Sequence, residues 1–311
     1  MIEFDDVFKS YDAAHPILKG VSFTIGDGEF VALAGTNGAG KSTAMRLVNG
    51  LLLPDKGEVR IDGAPTTSLR TSELARRVGF LFQNPDRQIC CPTVRDELLF
   101  GFRAQGRDGD EAREQVGLIA GELGLDLDAD PFLLNRGSRQ LLALASIVVL
   151  APPVLVLDEP TTGLDWLECG RVMDVIARMH DRGTTVVMVC HDMEVVADYA
   201  ERVIMLSDGQ VVVDGPTFEV LRDAEALKRA SLMPPQIVEV SEQLIREMPA
   251  LSATAVARAN TLDEMERALT QVLAARCGNA AVRRRTAMPK DGESAQERVR
   301  DGRGSAKERV R

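Results

Sequence analysis

The stretch FVALAGTNGAGKST, residues 30–43, decides the fold. Its first half is an apolar run typical of a buried strand, and its second half satisfies the pattern G-x-x-x-x-G-K-[ST]. The three glycines would let successive backbone N–H groups point inward and hold phosphate groups. Lys41 would place its charge on those phosphates, and the Ser42 hydroxyl could ligate Mg²⁺. A glycine-rich stretch alone could be a tight turn, but Lys-Ser at this spacing predicts a phosphate-binding loop.

A second apolar run, VLVLDEP at residues 154–160, ends in an acidic pair. A buried strand would deliver Asp158 to its carboxyl end, where ligands bind in an open α/β sheet. Asp158 would hold Mg²⁺ through water, and Glu159 could orient or deprotonate an attacking water. Acidic pairs after strands are often only helix caps. The phosphate-binding loop upstream favours the catalytic interpretation.

Strand-like and helical patterns alternate from the first residues to about residue 215. Near-continuous apolar runs predict strands that are buried on both faces, which is typical of a parallel sheet. These runs are residues 30–35, 77–82, 153–158 and 184–190. Helical patterns lie between them at residues 42–53, 138–150 and 167–181. The alternation predicts an α/β fold with a doubly wound sheet of the P-loop type.

The end of the chain changes in character. Asp208-Gly209 lies between two strand-like runs and predicts a two-residue hairpin turn. Helical patterns follow at residues 218–232, 237–248 and 262–275. We therefore expect a main domain over 1–230, a helical appendage over 231–280 and a basic tail over 281–311. The tail lacks apolar residues to bury, which predicts disorder.

The composition disfavours several classes of protein. Hydrophobic residues make up 45% of the 311, yet no apolar run approaches the roughly 20 residues of a membrane-spanning helix. A formal net charge of −10 argues against nucleic acid as a partner. Five cysteines without CxxC spacing indicate reduced thiols, and the adjacent pair Cys90-Cys91 predicts neither a structural bridge nor a zinc site. The acidic start disfavours a signal peptide, so we expect a soluble intracellular chain.

The order of the motifs carries a family resemblance. The phosphate-binding loop is followed by FQNPD at residues 82–86, by LDEPTTGLD at 157–165, and by His191 after a strand. This ordered set resembles the nucleotide-binding domain of ABC transporters over about residues 2–220. The resemblance implies the ABC ATPase fold, with a mixed sheet core, an antiparallel β subdomain and a helical subdomain, here with a small C-terminal helical appendage. It also implies ATP and Mg²⁺ as cofactors and ATP hydrolysis as the activity.

The resemblance also implies residue roles. Tyr11 would stack on adenine, although it could simply pack on a strand. Gln83 would reach Mg²⁺ and the attacking water, and His191 would contact the γ-phosphate and hold Glu159 in line. The catalytic residues would be Glu159, His191 and Gln83, and the Mg²⁺ ligands would be Ser42, Gln83 and Asp158. The ATP contacts would be Tyr11, Gly35, Asn37, Gly38, Gly40, Lys41, Ser42 and Thr43.

The family signature LSGGQ, which binds the γ-phosphate of the opposite subunit, is altered in this sequence. The aligned residues read LNRGS at 134–138. Asn135 can cap the following helix, and Gly137 keeps a position where the backbone can approach a ligand closely. Arg136 adds a cation near the expected phosphate, and Ser138 shortens a side chain at the edge of the loop.

Two interpretations of the altered signature remain open. It could be a working but weakened signature, or the degenerate half-site of a heterodimer whose paralogue carries the better one. An inactive ATP-binding subunit is disfavoured because both nucleotide motifs are intact. Leu164 and Asp165 would form the loop that crosses the dimer. Trp166 stands where the family often has proline, and we expect it to pack rather than to take part in chemistry.

Two looser stretches resemble the energy-coupling-factor (ECF) branch of the family, at residues 81–101 and 232–244. ECF importers take up vitamins or transition-metal ions. The resemblance implies a second ABC ATPase subunit, a transmembrane coupling protein and a substrate-binding membrane protein as partners, at the cytoplasmic face of the membrane. A groove near residues 83–100 would move against a helix of the membrane partner. Another kind of ABC importer is the alternative, whereas a DNA-repair or translation ATPase is disfavoured by the lack of a long coiled coil or tandem cassettes.

Overall fold

The computed structural model describes residues 1–12 and 15–277. The described residues divide into two compact units, one up to Val240 and one from Ser241 onwards. The basic tail predicted over 281–311 lies outside the described residues.

Strands and helices alternate along the first unit as the sequence predicts. The strands are β1 (Ile2–Ser10), β2 (Pro16–Ile25), β3 (Phe30–Gly35), β4 (Lys56–Ile61), β5 (Ala64–Pro65), β6 (Val78–Leu81), β7 (Val154–Asp158), β8 (Thr185–Val189), β9 (Arg202–Ser207) and β10 (Gln210–Pro216). The helices are α1 (Lys41–Val48), α2 (Thr71–Leu74), α3 (Val94–Ala104), α4 (Asp110–Leu123), α5 (Arg136–Val148), α6 (Trp166–Asp181), α7 (Met193–Tyr199), α8 (Thr217–Val220), α9 (Ala224–Arg229), α10 (Gln236–Glu247) and α11 (Leu262–Cys277).

The larger sheet has six strands in the order β10-β9-β3-β8-β7-β6. Its pairs are parallel except β9–β10, which is the hairpin that Asp208-Gly209 predicts. Every residue of β3, β6, β7 and β8 is buried, so the prediction of strands covered on both faces is confirmed. This sheet brings the carboxyl ends of β3, β7 and β8 to one edge, where the phosphate loop, the acidic pair and His191 follow.

The smaller sheet is antiparallel, in the order β2-β1-β4-β5. Its inner face is apolar and includes the stacked rings of Phe4 and Phe23, whose centroids are 4.4 Å apart. The same core cluster contains one face of β3 and the buried side of α1. The mixed sheet and this antiparallel sheet are the architecture that the family resemblance implies.

Some helix boundaries differ from the sequence predictions, and local chemistry explains why. Helix α1 ends at Val48 rather than near residue 53, because Gly50 takes a left-handed conformation with φ 69°. Helix α5 begins at Arg136, two residues earlier than predicted, because Asn135 caps it. The single helix expected over 218–232 is two, α8 and α9, since the Asp223 carboxylate accepts N–H groups at the start of α9.

The second unit is described from residue 241 to 277. It holds the end of α10, two short 3₁₀ turns and α11, so the two helices predicted for the appendage are present. The buried hydroxyl of Ser241 donates a hydrogen bond to Val256 O at 2.8 Å. Within the part of the chain that the structure describes, no helix combines the length and apolar character needed to cross a bilayer.

Candidate nucleotide site

The phosphate loop follows β3, and backbone geometry explains its glycines. Gly35 has φ 138°, and a Cβ there would lie 1.9 Å from Leu206 O of the neighbouring strand β9. Gly38 and Gly40 also have positive φ, at 81° and 101°. L side chains rarely adopt such conformations, so this loop shape depends on glycine.

Lys41 is almost completely buried in the loop, with 6% of its surface exposed. Its Nζ donates to Gly35 O and to Thr36 O, each at 2.9 Å. Burial lowers the pKa of Lys41, while the carboxylates of Glu159 and Asp158 act to raise it. The loop thus holds a cationic group at its centre with the geometry to meet a phosphate.

Ser42 and Asp158 meet across the junction of α1 and β7. The Ser42 hydroxyl donates to Asp158 Oδ1 at 3.0 Å. Burial raises the pKa of Asp158, and the hydrogen bond from Ser42 opposes that shift. A hydroxyl and a desolvated carboxylate are hard oxygen donors that a cation would stabilise, so this pair fits Mg²⁺.

Glu159 lies one residue beyond β7 and is surrounded by polar groups. Its Oε2 accepts Gln83 Nε2 at 2.7 Å and Thr162 Oγ1 at 3.0 Å, and its Oε1 lies 3.1 Å from His191 Nε2. Its backbone is left-handed, with φ 52°, a conformation that costs of order 1–3 kcal/mol in a non-glycine residue. The backbone N–H of Glu159 bonds to Val189 O at 3.0 Å, which fixes this turn to β8. The three residues predicted to be catalytic therefore meet at one carboxylate.

A cavity of about 250 Å³ opens over the phosphate loop. Tyr11 and Ile17 form its wall, and the Tyr11 hydroxyl lies 3.3 Å from Thr43 Oγ1. Tyr11 is 57% exposed, which leaves its ring accessible to a planar ligand. The remaining lining residues are Asn37, Gly38, Gly40, Lys41, Ser42, Thr43, Glu159 and His191. Every ATP contact predicted from the sequence except Gly35 lines this cavity, and Gly35 lies at the base of the loop.

The altered signature begins helix α5. Asn135 Oδ1 accepts the Ser138 N–H at 2.7 Å, which is the cap that its residue type predicts. The Arg136 guanidinium donates to Thr162 O of the same chain at 3.0 Å and lies against Gly163. Arg136 is thus engaged by the segment that follows Glu159.

Two further contacts join α5 to that segment. Gln140 is buried, and its Nε2 donates to Pro160 O at 3.0 Å. The Glu168 carboxylate packs so closely on Gly137 that a Cβ there would lie 1.9 Å from Glu168 Oε1. Gly137 does permit a close approach, but in the isolated chain the group that approaches is Glu168.

The loop predicted to cross the dimer also has a local role. Asp165 caps α6: its Oδ1 accepts the Glu168 N–H at 2.8 Å, and its own N–H donates to Glu168 Oε2 at 3.2 Å. Leu164 packs partly buried against the main core. Trp166, which was expected to pack rather than to take part in chemistry, is 85% exposed and so does not pack within the chain. As the first residue of α6 it points away from the core side of that helix.

Sequence reasoning gave no role to Thr162, Glu168 or Ile17. Thr162 lies inside the quoted stretch LDEPTTGLD, so its polar side chain near Glu159 was a usable signal. Glu168 stands three residues after Asp165, which is the spacing of a capping box. Ile17 offered no signal, because only the fold brings it beside the phosphate loop.

Comparison with known proteins agrees with this geometry. The sequence model described as ABC transporter matches residues 18–162. The energy-coupling factor transporter ATP-binding protein EcfA of Methanothermobacter thermautotrophicus is 37% identical over 248 residues, which are 78% of this chain and 80% of that protein. The chain belongs to the family of ABC transporter ATP-binding proteins. The chain accordingly binds ATP, and its activity is ATP hydrolysis.

Two further family members are similar to this chain. A putative ABC transporter ATP-binding protein of Caldanaerobacter subterraneus is 40% identical over 246 residues, and the chain spans only 43% of that longer protein. The solved structure of cbiO1 from Clostridium perfringens, described as part of the ABC transporter complex cbiONQ, superposes with a TM-score of 0.66 at 28% identity. The match covers 80% of this chain and 96% of cbiO1.

Proposed function

We propose that this ABC transporter ATP-binding protein powers an importer of the ECF type, which takes up a vitamin or a transition-metal ion. Its similarity to EcfA and to cbiO1 supports this branch of the family. The observation that carries the catalytic part is the convergence of Gln83, Thr162 and His191 on Glu159 beside the phosphate loop. Its place would be the cytoplasmic face of the membrane.

The site residues divide the work of phosphoryl transfer. Backbone N–H groups of the loop and the Lys41 ammonium would hold the phosphates, while the Tyr11 ring would support the adenine. Mg²⁺ bound at Ser42 and Asp158, with Gln83 nearby, would neutralise charge on the phosphate oxygens.

Glu159 would act as the general base. Gln83 and Thr162 both donate to Oε2, which fixes the orientation of the carboxylate. Oε1 would accept a proton from the attacking water, and His191, whose Nε2 lies 3.1 Å from Oε1, would hold the γ-phosphate in line with it. The hydrogen bond from the Glu159 N–H to Val189 O holds the left-handed backbone of this residue in place.

An apolar cavity of about 340 Å³ supports docking of the transmembrane coupling protein. It lies between β6 and α3. Three of its lining residues, Gln88, Glu97 and Phe100, belong to the stretch 83–100 where a groove was predicted. Phe100 is 52% exposed at its rim. Its apolar lining includes Leu51, Phe80, Phe82, Phe100 and Leu150. Gln88 also lines it and bonds to the backbone of both Phe82 and Ala143, which would connect an occupant of the groove to the strand leading to Gln83.

Exposed apolar residues support a second ATPase subunit as partner. Phe132 and Leu133 precede the signature, and Trp166 and Leu167 follow the loop at Leu164 and Asp165. Their exposed fractions are 52%, 85%, 85% and 67%. Large apolar side chains exposed next to the signature and next to the loop at Leu164 and Asp165 would be covered by a second subunit. The occupant would be a second copy of this chain or a paralogue. A paralogue remains an alternative because it could carry a better signature than the altered one of this chain.

Recovery of partners from membranes tests the proposal. A tagged chain expressed in its native host should copurify with a transmembrane coupling protein and a small substrate-binding membrane protein. Phe100→Ser should abolish this recovery, because it removes the apolar rim of the groove. Leu118→Ser is the matched control, since Leu118 is also an exposed apolar residue but lies in α4, outside both the groove and the signature, and it should keep the membrane partners. Recovery with a periplasmic or lipoprotein receptor would instead support another ABC importer, and recovery with DNA or ribosomes would exclude transport.

A further inference from the structure

The adjacent thiols Cys90 and Cys91 have a third neighbour that the sequence did not indicate. One ligand atom from each of Cys90, Cys91 and Glu97 lies within 4.8 Å of the other two. Among the described residues no other group of three such side chains meets this condition. The group lies between Gln83 and the body of α3, apart from the nucleotide cavity.

The Glu97 carboxylate is buried and hydrogen-bonded to the backbone that carries the two thiols. It is 3% exposed, which is unusual for a carboxylate. Its Oε2 accepts the backbone N–H groups of both Cys90 and Cys91, each at 2.9 Å. Thr93 caps α3 by accepting the Asp96 N–H, so the helix that carries Glu97 is anchored at the same point. These hydrogen bonds hold the backbone of the two cysteines against the start of α3, so the three side chains stay close together.

The spacing of the sulfurs fits a shared cation. The two Sγ atoms are 4.0 Å apart. Two sulfurs bound at about 2.3 Å to one tetrahedral Zn²⁺ would lie roughly 3.8 Å apart, whereas a disulfide needs about 2.05 Å. A shift of a few tenths of an ångström would bring both sulfurs to a common metal. Cys90 is exposed, which leaves an entry path and room for a fourth ligand such as water.

We propose that Cys90, Cys91 and Glu97 bind one divalent cation of the zinc class, with Cys90 and Cys91 as thiolate ligands and Glu97 as the oxygen ligand. Thiolates select borderline and soft cations, whereas Mg²⁺ prefers oxygen donors alone. This site is therefore distinct in chemistry from the hydroxyl and carboxylate of Ser42 and Asp158. The prediction that this pair forms no zinc site considered the two cysteines alone, without Glu97 as a third ligand.

Binding of the cation would release the thiol protons to solvent, because cysteine binds metals as the thiolate. It would also place positive charge beside the buried carboxylate of Glu97.

A cadmium titration tests the site. The full chain, reduced with a phosphine and freed of metal, is titrated with Cd²⁺ while the ultraviolet charge-transfer band of the cadmium–thiolate bond is recorded. We expect one equivalent per chain, displacement by Zn²⁺, and no displacement by excess Mg²⁺ with ATP. Cys90→Ser and Cys91→Ser should each weaken binding by about tenfold or more.

Two further variants make the result specific. Glu97→Gln keeps an acceptor for both backbone N–H groups but removes the charge, and it should weaken Cd²⁺ binding by about tenfold. Cys169→Ser changes a partly buried thiol elsewhere and should leave the titration unchanged. Absence of a stoichiometric band, or a band that survives in the Cys90→Ser/Cys91→Ser double variant, overturns the site. Unchanged affinity in a folded Glu97→Gln variant overturns the role of Glu97.

Discussion

Two regions of the chain hold their polar side chains for different purposes. The phosphate-loop region comprises residues 35–43 with Asp158 and Glu159, and the signature region comprises residues 134–140 with the segment 160–168 that they contact. Around the phosphate loop, charged groups converge on a cavity: Lys41 and Glu159 line the place where ATP would lie, and Asp158 bonds to Ser42, which also lines it. Around the signature, the polar side chains are bonded within the chain. Arg136 reaches Thr162 O, and Asn135 caps its own helix.

This difference indicates that the first region is arranged to bind a ligand, whereas the second bonds mainly within the chain. In the phosphate-loop region burial shifts the pKa values of Lys41 and Asp158 away from their ordinary values, which is typical of a binding site. The signature region is satisfied locally, and it is tied to the backbone after Glu159 by Arg136 and Gln140. We infer that the altered signature holds the catalytic segment of its own chain in place, in addition to any contact that it makes with the opposite subunit.

The largest expected effect comes from Glu159→Gln. The amide keeps the size of the side chain but cannot take a proton, so kcat for ATP hydrolysis should fall by about 10²- to 10⁴-fold. ATP binding should persist, because the phosphate loop is untouched, and an ATP-bound dimer should accumulate. Turnover assays, equilibrium binding of ATP and size-exclusion chromatography measure the three quantities.

Glu122→Gln is the matched control, since Glu122 pairs with Arg178 on the surface, away from the cavity. It should turn over ATP like the wild type. Undiminished hydrolysis in Glu159→Gln would show that another group serves as the base.

The sequence predicted the phosphate-loop region well because its information is local. Strands buried on both faces appear as unbroken apolar runs, so the predicted bounds of β3 agree with the structure and those of β7 differ by one residue. The convergence of Gln83 and His191 on Glu159 was implied by the family resemblance, and strand ends that meet at one edge of the sheet account for it.

The signature region was harder to predict because its contacts join distant parts of the chain. No local pattern reveals that Arg136 bonds to a carbonyl 26 residues away, or that Glu168 packs on Gly137. The exposure of Trp166 was not predicted, since a single sequence does not show which face of a helix a partner would cover. Glu97, the third donor of the cysteine cluster, was missed although it lies only six residues after Cys91, because the sequence does not show that the start of α3 turns its carboxylate towards the two cysteines.

A smaller effect is expected from Arg136→Ala. Loss of one hydrogen bond would free the backbone at Thr162 and loosen Glu159, so kcat should fall roughly threefold to tenfold while the KM for ATP stays unchanged. Arg171→Ala is the matched control, because Arg171 also donates to a backbone carbonyl, that of Leu123, but touches neither loop. Steady-state kinetics give both parameters. A raised KM with unchanged kcat would show instead that Arg136 binds nucleotide.

The smallest effects are on stability, and they should differ in sign between the two regions. Burial raises the pKa of Asp158 above its ordinary value of 3.8, so the native state binds this proton more tightly than the unfolded state does. The stability that this proton provides is present at acid pH and is lost as pH rises through the raised pKa. Asp158→Asn cannot ionise, and its amide oxygen can still accept the Ser42 hydrogen bond. The nucleotide-free variant should therefore resist urea better than the wild type at neutral pH, and the advantage should shrink as the pH falls towards 3.8.

Asp165→Ala provides the opposite case in the signature region. It removes the cap on α6, so it should lower the free energy of unfolding by about 1 kcal/mol at neutral pH. Urea midpoints of both variants and the wild type, measured without nucleotide at neutral and acid pH, compare the two. A site residue that opposes stability and a loop residue that supports it would confirm that the first region is shaped for a ligand and the second for the fold. If Asp158→Asn lowers the urea midpoint at neutral pH, the desolvated carboxylate is stabilised by the fold itself, and the distinction between the two regions fails.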